Sequence, residues 1–160
     1  MQVQEIMSRP AITIGPDTKI KAIAGLMREH HISGVPVVDD NGVLLGTVTE
    51  LNLIARNAPV KQPYYLTVLS AVIPVGGEGY FHYKEQLRQT LATNASELMN
   101  DQVRTVTPTT SLEETMELML HPENTLLPVI EHNKVVGVVT RTDLVRLIES
   151  LEMAPEETTS

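Results

Sequence analysis

The chain has 160 residues, 42% hydrophobic and 20% charged, the balance of a folded globular protein of one domain or two very small ones. Cysteine is absent, which excludes disulfides, thiolate metal sites and cysteine nucleophiles. The net charge of −8 withholds the basic footprint that duplex nucleic acid or an anionic membrane requires. No apolar run approaches the roughly 18 residues of a membrane helix. The best candidate, residues 66–75, is broken by Thr67, Ser70 and Pro74. The N-terminus shows no basic, apolar leader with a cleavage site, so the expectation is a cytoplasmic protein with no nucleic-acid partner and no membrane insertion.

Shifting the sequence by 92 positions aligns it with itself. Met7 falls on Met99, Thr13 on Thr105, Pro36-Val37 on Pro128-Val129 and Asn41 on Asn133. The offset then drops to 91, and Gly46 meets Gly137, Val48-Thr49 meets Val139-Thr140 and Leu53 meets Leu144. The one-residue change falls in a turn, where loops tolerate it.

Each repeat predicts the order β-α-β-β-α. A short β segment comes first, at residues 11–14 and 104–106. A helix follows, with Thr18 or Ser111 as the expected N-cap; Glu114, three residues after Ser111, adds a capping-box pattern. Its apolar positions recur at helical spacing: Ile20, Ile23, Ala24 and Met27, matched by Leu112, Thr115, Met116 and Met119. Strands are predicted at 35–38 and 127–130, then a polar turn, then strands at 44–49 and 135–140. The last helix of each repeat starts at Glu50 or Arg141.

These elements predict a mixed α+β fold of two β-α-β-β-α repeats. Repeat one is expected over residues 1–57, an insert over 58–92, repeat two over 93–153 and a frayed acidic tail over 154–160. The insert holds every aromatic of the chain: Tyr64, Tyr65, Tyr80, Phe81 and Tyr83. It reads as a long connector pinned by its aromatics, or as a face for a partner. A helix is expected from Tyr83 to Leu91, leading into repeat two.

Residues 7–14 (MSRPAITI), 32–39 (ISGVPVVD) and 46–49 (GTVT) resemble a CBS domain, the regulatory module named after cystathionine β-synthase. Leu98-Met99, residues 127–130 (LPVI) and 137–143 (GVVTRTD) resemble it again, so the likeness covers everything but the insert and the tail. The resemblance implies two repeats packed with pseudo-twofold symmetry, and a homodimer, since such pairs commonly dimerise into a flat disc. It also implies a regulatory adenosine-type ligand: AMP, ADP, ATP, S-adenosylmethionine or a cyclic dinucleotide.

The motif with chemistry is Gly-x-x-Thr-x-x-Asp, complete in repeat two as Gly137, Thr140 and Asp143. The free amides of a helix N-terminus favour an anion there. In the family this Asp holds the ribose of the ligand, and Arg141 is placed to reach phosphate. The alternative is structural: Thr140 caps the helix and Asp143 complements its dipole. Repeat one has Gly46 and Thr49 but Asn52 in place of the Asp, which makes its site the weaker one.

By the same resemblance the base pocket is built from Gln102, Val103 and Thr105 with Thr125, Leu126 and Pro128, and Val103 and Leu126 would sandwich an adenine. The repeat-one equivalents are Pro10, Ala11 and Thr13 with Ser33, Gly34 and Pro36. Some relatives carry His or Arg two positions before the Pro-Val to touch phosphate; this chain has Gly34 and Leu126 there, leaving Arg9, Arg104 and Arg141 as local cations.

Other chemistry is thinly represented. His30-His31 is adjacent, so the pair does not share a helix face for metal and reads as a helix end; no metal is expected. Ser70, Ser96 and Ser111 lack a nucleophile elbow, and residues 76–79 (GGEG) lack the Lys-Ser/Thr of a phosphate loop. No catalytic residue is assigned, no enzyme and no required cofactor is expected, and the regulated enzyme or transporter is not named by the sequence. A constitutive interaction module without a ligand is the alternative reading.

Overall fold

Each repeat folds its hydrophobic periods into one β-hairpin flanked by helices, in a computed structural model that describes residues 1–60, 65–68, 71–74 and 77–153. Repeat one opens with a 3-10 turn, Val3–Glu5. It continues through α1 (Ile20–His30), the antiparallel strands β1 (Gly34–Val38) and β2 (Leu44–Thr49), and α2 (Glu50–Asn57). The insert forms a second antiparallel hairpin, β3 (Tyr65–Val68) and β4 (Ala71–Pro74), and then α3 (Gly77–Leu91). Repeat two comprises the short α4 (Ala95–Leu98), α5 (Leu112–Leu120), the hairpin β5 (Leu126–Glu131) and β6 (Lys134–Thr140), and α6 (Arg141–Glu152).

Most expected boundaries fall within a residue of the observed ones, and both closing helices start at Glu50 and Arg141. Three expectations need correction. The segments before α1 and α5 touch the sheets only through single parallel bridges, Ile14 to Val37 and Val106 to Val129, so they are extended leads rather than strands. The N-cap of α1 is Lys19, whose side chain makes no cap bond, and not Thr18; Ser111 does cap α5, accepting from the Glu114 amide at 3.2 Å. The insert carries a hairpin that was not anticipated, and its helix begins at Gly77, six residues before Tyr83. Residues 154–160, expected as the frayed tail, lie outside the described residues.

The turns explain the one-residue change of offset. In β5–β6 the two turn residues, His132 and Asn133, both have positive φ (50° and 63°), the backbone of a two-residue hairpin matched to strand twist. In β1–β2 the loop is one residue longer: the Asp39 carboxylate accepts from the Asn41 and Val43 amides, and Gly42 takes φ 81°. Both hairpins carry a bulge at the same repeat position, Val37/Val38 and Val129/Ile130.

The repeats exchange their lead-in segments. Ser8, ahead of repeat one, bridges Val138 on β6; Asn100, ahead of repeat two, bridges Thr47 on β2. Gln2 bridges Ser111, and Lys19 bridges Asn94. Each pair maps onto the other under the sequence offset, which is the pseudo-twofold axis written in hydrogen bonds. The cores follow the exchange. Ala92, Ala95 and Leu98 are buried with Ile23, Val35, Val37 and Val48 of repeat one. Val3 is buried with Leu127, Val129, Val139 and Leu144 of repeat two. Neither repeat encloses its core without the segment that leads into the other, so a roughly 50-residue unit that is marginal alone is completed by its neighbour.

The insert breaks this symmetry. Helix α3 packs on α2 and α4. Arg56 donates to the Ala92 carbonyl at 2.9 Å, and Arg88 donates to the Glu97 carbonyl at 2.6 Å while pairing with Glu85. The Thr93 amide and hydroxyl donate to the Glu97 carboxylate at 2.6 and 3.0 Å and hold its pKa below the usual value of 4.5; Arg88 does the same for Glu85. A depressed carboxylate contributes stability that is present above its unfolded pKa and lost as pH falls through its folded value. The melting temperature is therefore expected to fall on acidification below pH 4.5 less steeply in Glu97→Gln than in the unaltered chain. Parallel melting curves of the two would show that these bonds do not anchor the segment.

Candidate functional site

Two clefts lie between the repeats, one on each side of the pseudo-twofold axis. Cleft A, about 430 Å³, has Pro10, Ile12, Ile32, Ser33 and Gly34 of repeat one on one wall and Val138, Thr140, Asp143 and Arg146 of repeat two on the other. Cleft B, about 170 Å³, places Thr49 and Asn52 of repeat one opposite Gln102, Val103, Thr125 and Leu126 of repeat two. Each cleft thus joins the Thr-x-x-Asp position of one repeat to the lead-in and first strand of the other.

This pairing corrects the grouping by repeat. Val103, Thr125 and Leu126 do not accompany Thr140 and Asp143; they face Thr49 and Asn52. The residues that accompany Asp143 are Ser33 and Gly34, assigned above to the weaker site. The cause is the exchange of lead-ins, which seats residues 8–12 against repeat two.

The walls are built by strand ends. Strand β6 ends at Thr140, the N-cap of α6, and Asp143 lies one turn into that helix. Asp143 is 6% exposed, so its charge needs partners within the fold. Its Oδ2 accepts from the Thr140 amide and hydroxyl, both at 2.8 Å. Its Oδ1 accepts from Ser8 Oγ at 3.1 Å and lies 3.5 Å from Arg146 Nη1. At the equivalent place Asn52 Oδ1 accepts from the Thr49 amide at 2.8 Å and hydroxyl at 3.0 Å. Both motifs therefore make the helix-capping contact, and only Asp143 has a second carboxylate oxygen turned toward the other repeat.

The remaining expected residues are placed as follows. Arg141 lines neither cleft, because its guanidinium donates to the His121 and Pro122 carbonyls at the end of α5, at 3.1 and 3.4 Å. Thr13 and Thr105 are exposed on the lead-ins, Ala11 is half-buried, and none of the three lines a cleft. Pro36 and Pro128 are fully buried, and their carbonyls are occupied by the Ile14 and Val106 amides at 3.0 and 3.1 Å.

Sequence reasoning missed Ser8, Arg146 and the histidines. His30 ends α1 and His31 caps it with φ 53°, as expected of a helix end, but that end opens onto cleft A. The charged groups of cleft A are Asp143 and Glu50 against Arg146, with the two imidazoles beside them. The only available signal was position: Arg146 lies one turn beyond Asp143 on the same helix face.

A third cavity, about 600 Å³, lies between α3 (Glu85, Arg88, Gln89) and the α4 segment (Ser96, Met99, Asn100), with Asn52 of α2 at its edge. It shares Asn52 and Asn100 with cleft B. Among the described residues no group of three or more His, Asp or Glu side chains is arranged to hold a metal ion. No helix among them is long and apolar enough to cross a membrane.

A profile of the CBS domain matches residues 3–58 and again 95–150, more than half of the chain. The chain belongs to the CBS-domain family. It carries two CBS repeats in tandem. Among its relatives, the chloroplastic CBS domain-containing protein CBSX2 of Arabidopsis thaliana is 25% identical over 147 residues, 91% of this chain but 62% of its own length. The CBS domain-containing protein YhcV of Bacillus subtilis is 27% identical over 142 residues, 89% of this chain and 81% of that protein. The crystal structure of CBSX2 in complex with AMP matches with a TM-score of 0.74 at 23% identity, covering 96% of this chain and 98% of that one. The CBS domain pair of protein MJ0100, solved with 5'-methylthioadenosine and S-adenosyl-L-methionine, matches with a TM-score of 0.67 at 22% identity over 94% and 98% of the two chains. These likenesses establish the tandem CBS fold.

Proposed function

We propose that the chain is a regulatory CBS-pair module that takes an adenosine-containing ligand in cleft A and transmits its occupancy to a dimer or partner face. The observation that carries this reading is the open cleft of about 430 Å³ with the buried carboxylate of Asp143 in its wall. One carboxylate oxygen faces the cleft beside a serine hydroxyl, which suits a sugar hydroxyl; Ile12 and Ile32 offer apolar walls to a base. Arg146 supplies the cationic side for phosphate or the carboxylate of a sulfonium-bearing amino acid, with the His30 and His31 imidazoles beside it as hydrogen-bonding groups. The AMP complex of CBSX2 and the adenosyl ligands of the MJ0100 domain pair support the ligand class.

A ligand spanning both repeats favours whichever relative arrangement binds it better, and can shift that equilibrium only by its differential affinity. Leu51 and Ile54 of α2 and Val145 and Ile148 of α6 are exposed apolar side chains on the helices that follow the two motifs. They suit a homodimer face coupled to the clefts. A ligand-free interaction module is the second reading, favoured by the protein contacts that Asp143 already makes.

Thermal unfolding against AMP, ADP, ATP, S-adenosylmethionine, cyclic di-AMP, NAD and GTP tests the proposal. Ligand at 100 times its dissociation constant adds about 2.7 kcal/mol, and each kcal/mol is worth about 2–4 °C at this size. A shift with one adenosine compound and none with GTP is the expected result. No shift with any compound would leave the interaction module.

A further inference from the structure

We propose that Asn41-Gly42 is a site of covalent self-modification: the Gly42 amide nitrogen closes onto the Asn41 side chain, and hydrolysis leaves isoaspartate in the turn where the hairpins of the two repeats meet. Of the asparagines in the chain, only Asn41 is followed by glycine. Glycine has no Cβ to shield its amide nitrogen, so the five-membered ring can close. Asn41 is exposed in the β1–β2 loop, and among the described residues no hydrogen bond holds its carboxamide; its one bond there is from the backbone amide to Asp39.

In the first step Gly42 N bonds to Asn41 Cγ and the Cγ–NH₂ bond breaks. Ammonia leaves with the Gly42 amide proton, and a succinimide remains. Water then opens the ring at one of its two carbonyls. Attack at Cγ restores the normal main chain as aspartate. Attack at the main-chain carbonyl routes the chain through Cβ and Cγ as isoaspartate. Either product carries a negative charge that Asn41 did not.

The fold controls both access to the step and its effect. The Gly42 amide donates to the Asp39 carbonyl at 3.0 Å, and that bond must open before the nitrogen can attack. Exposed turns open at low free-energy cost. The Gly42 carbonyl accepts from the Val135 amide of repeat two, also at 3.0 Å, which ties the β1–β2 turn to the start of β6. Isoaspartate adds a methylene to the main chain immediately before Gly42, which moves that carbonyl away from Val135. Asn133 holds the equivalent position in repeat two and serves as an internal control. It is followed by Lys134, whose side chain shields the nitrogen and which is fixed in β6 opposite Glu131.

The test ages the full chain in mildly alkaline buffer and maps its peptides by electron-based fragmentation, which separates isoaspartate from aspartate. Isoaspartate at residue 41 is expected, with Asn133 intact. In the converted chain the Val135 amide is expected to exchange its hydrogen about tenfold faster, the loss of one hydrogen bond. Asn41→Ser keeps a turn-forming residue without the carboxamide. Aged alongside, it is expected to retain the protection of Val135. Unaltered Asn41, conversion of Asn133 at the same rate, a converted chain with Val135 still protected, or equal loss of protection in aged Asn41→Ser would each overturn the proposal.

Discussion

Gly46→Ala is expected to destabilise the chain by about 3 kcal/mol, the upper end of the range for forcing volume into a packed interior, and Gly137→Ala by distinctly less. The two glycines are equivalent in the repeats and both stand where the other repeat's lead-in crosses a strand. At Gly46 an added Cβ would lie 2.6 Å from the Asn100 carbonyl oxygen and 2.8 Å from Met99 Sδ. That backbone has nowhere to retreat, because Thr47 and Asn100 exchange both amide–carbonyl bonds at 2.9 Å. At Gly137 the nearest atom is Met7 Sδ at 2.9 Å, the far end of a flexible side chain, and the Ser8 oxygen is 3.1 Å away. Urea or thermal unfolding of the two variants measures the order directly. If Gly46→Ala is no less stable than Gly137→Ala, the lead-in of repeat two is not seated against β2 as described.

These glycines also mark the limit of what the sequence discloses. Their place in the Gly-x-x-Thr-x-x-Asp pattern was visible, yet the reason for glycine lies far along the chain, at Asn100 for Gly46 and at Met7 and Ser8 for Gly137, on a segment that crosses from the other repeat. The elements themselves were legible because each is local. Helix α1 is marked by apolar spacing, β1 and β2 by β-branched runs around a polar turn, and α2 and α6 by the threonine that ends each strand. The grouping of site residues was not local. Thr125, Leu126 and Asp143 belong to one repeat, and an offset alignment keeps them together; the pseudo-twofold docking then separates them into different clefts. Ser8 is the clearest case: it lies 135 residues from Asp143, and its hydrogen bond with that carboxylate follows only from the exchange. The hairpin of the insert was obscured by proline and by its lying outside the repeat, with no second copy to compare.

The exchange has a mechanical consequence for regulation. Each cleft is bounded by the lead-in of one repeat and the motif of the other, so a ligand in cleft A touches both halves of the molecule through elements that also close their cores. On the proposed function, relative movement of the repeats would change the width of the cleft and occupancy of the cleft would act back on that movement, the reciprocity any such coupling must obey. Helix α3, docked on α2 of repeat one and α4 of repeat two, has no counterpart under the repeat offset.

Asp143 carries two roles, and two substitutions separate them. Asp143→Ala removes the acceptor for the Thr140 amide and hydroxyl and for Ser8 Oγ. Leaving such groups without partners at a buried helix start costs about 1–3 kcal/mol, or several degrees of melting temperature at about 2–4 °C per kcal/mol. Asp143→Asn instead adopts what Asn52 already shows, a carboxamide oxygen accepting both Thr49 donors at 2.8 and 3.0 Å, so the cap of α6 survives. What it loses is the second acceptor oxygen in cleft A and the charge opposite Arg146. The expected result is a protein close to the natural one in stability that binds AMP about tenfold or more weakly, since a site built around a buried polar contact discriminates strongly once that contact is lost. Calorimetric titration beside a melting curve reads both quantities on one sample. Natural affinity in Asp143→Asn would confine Asp143 to the cap and remove it from the ligand's contacts. Natural stability in Asp143→Ala would instead strip the capping bonds of their structural role, leaving the carboxylate's burial explained by the ligand alone.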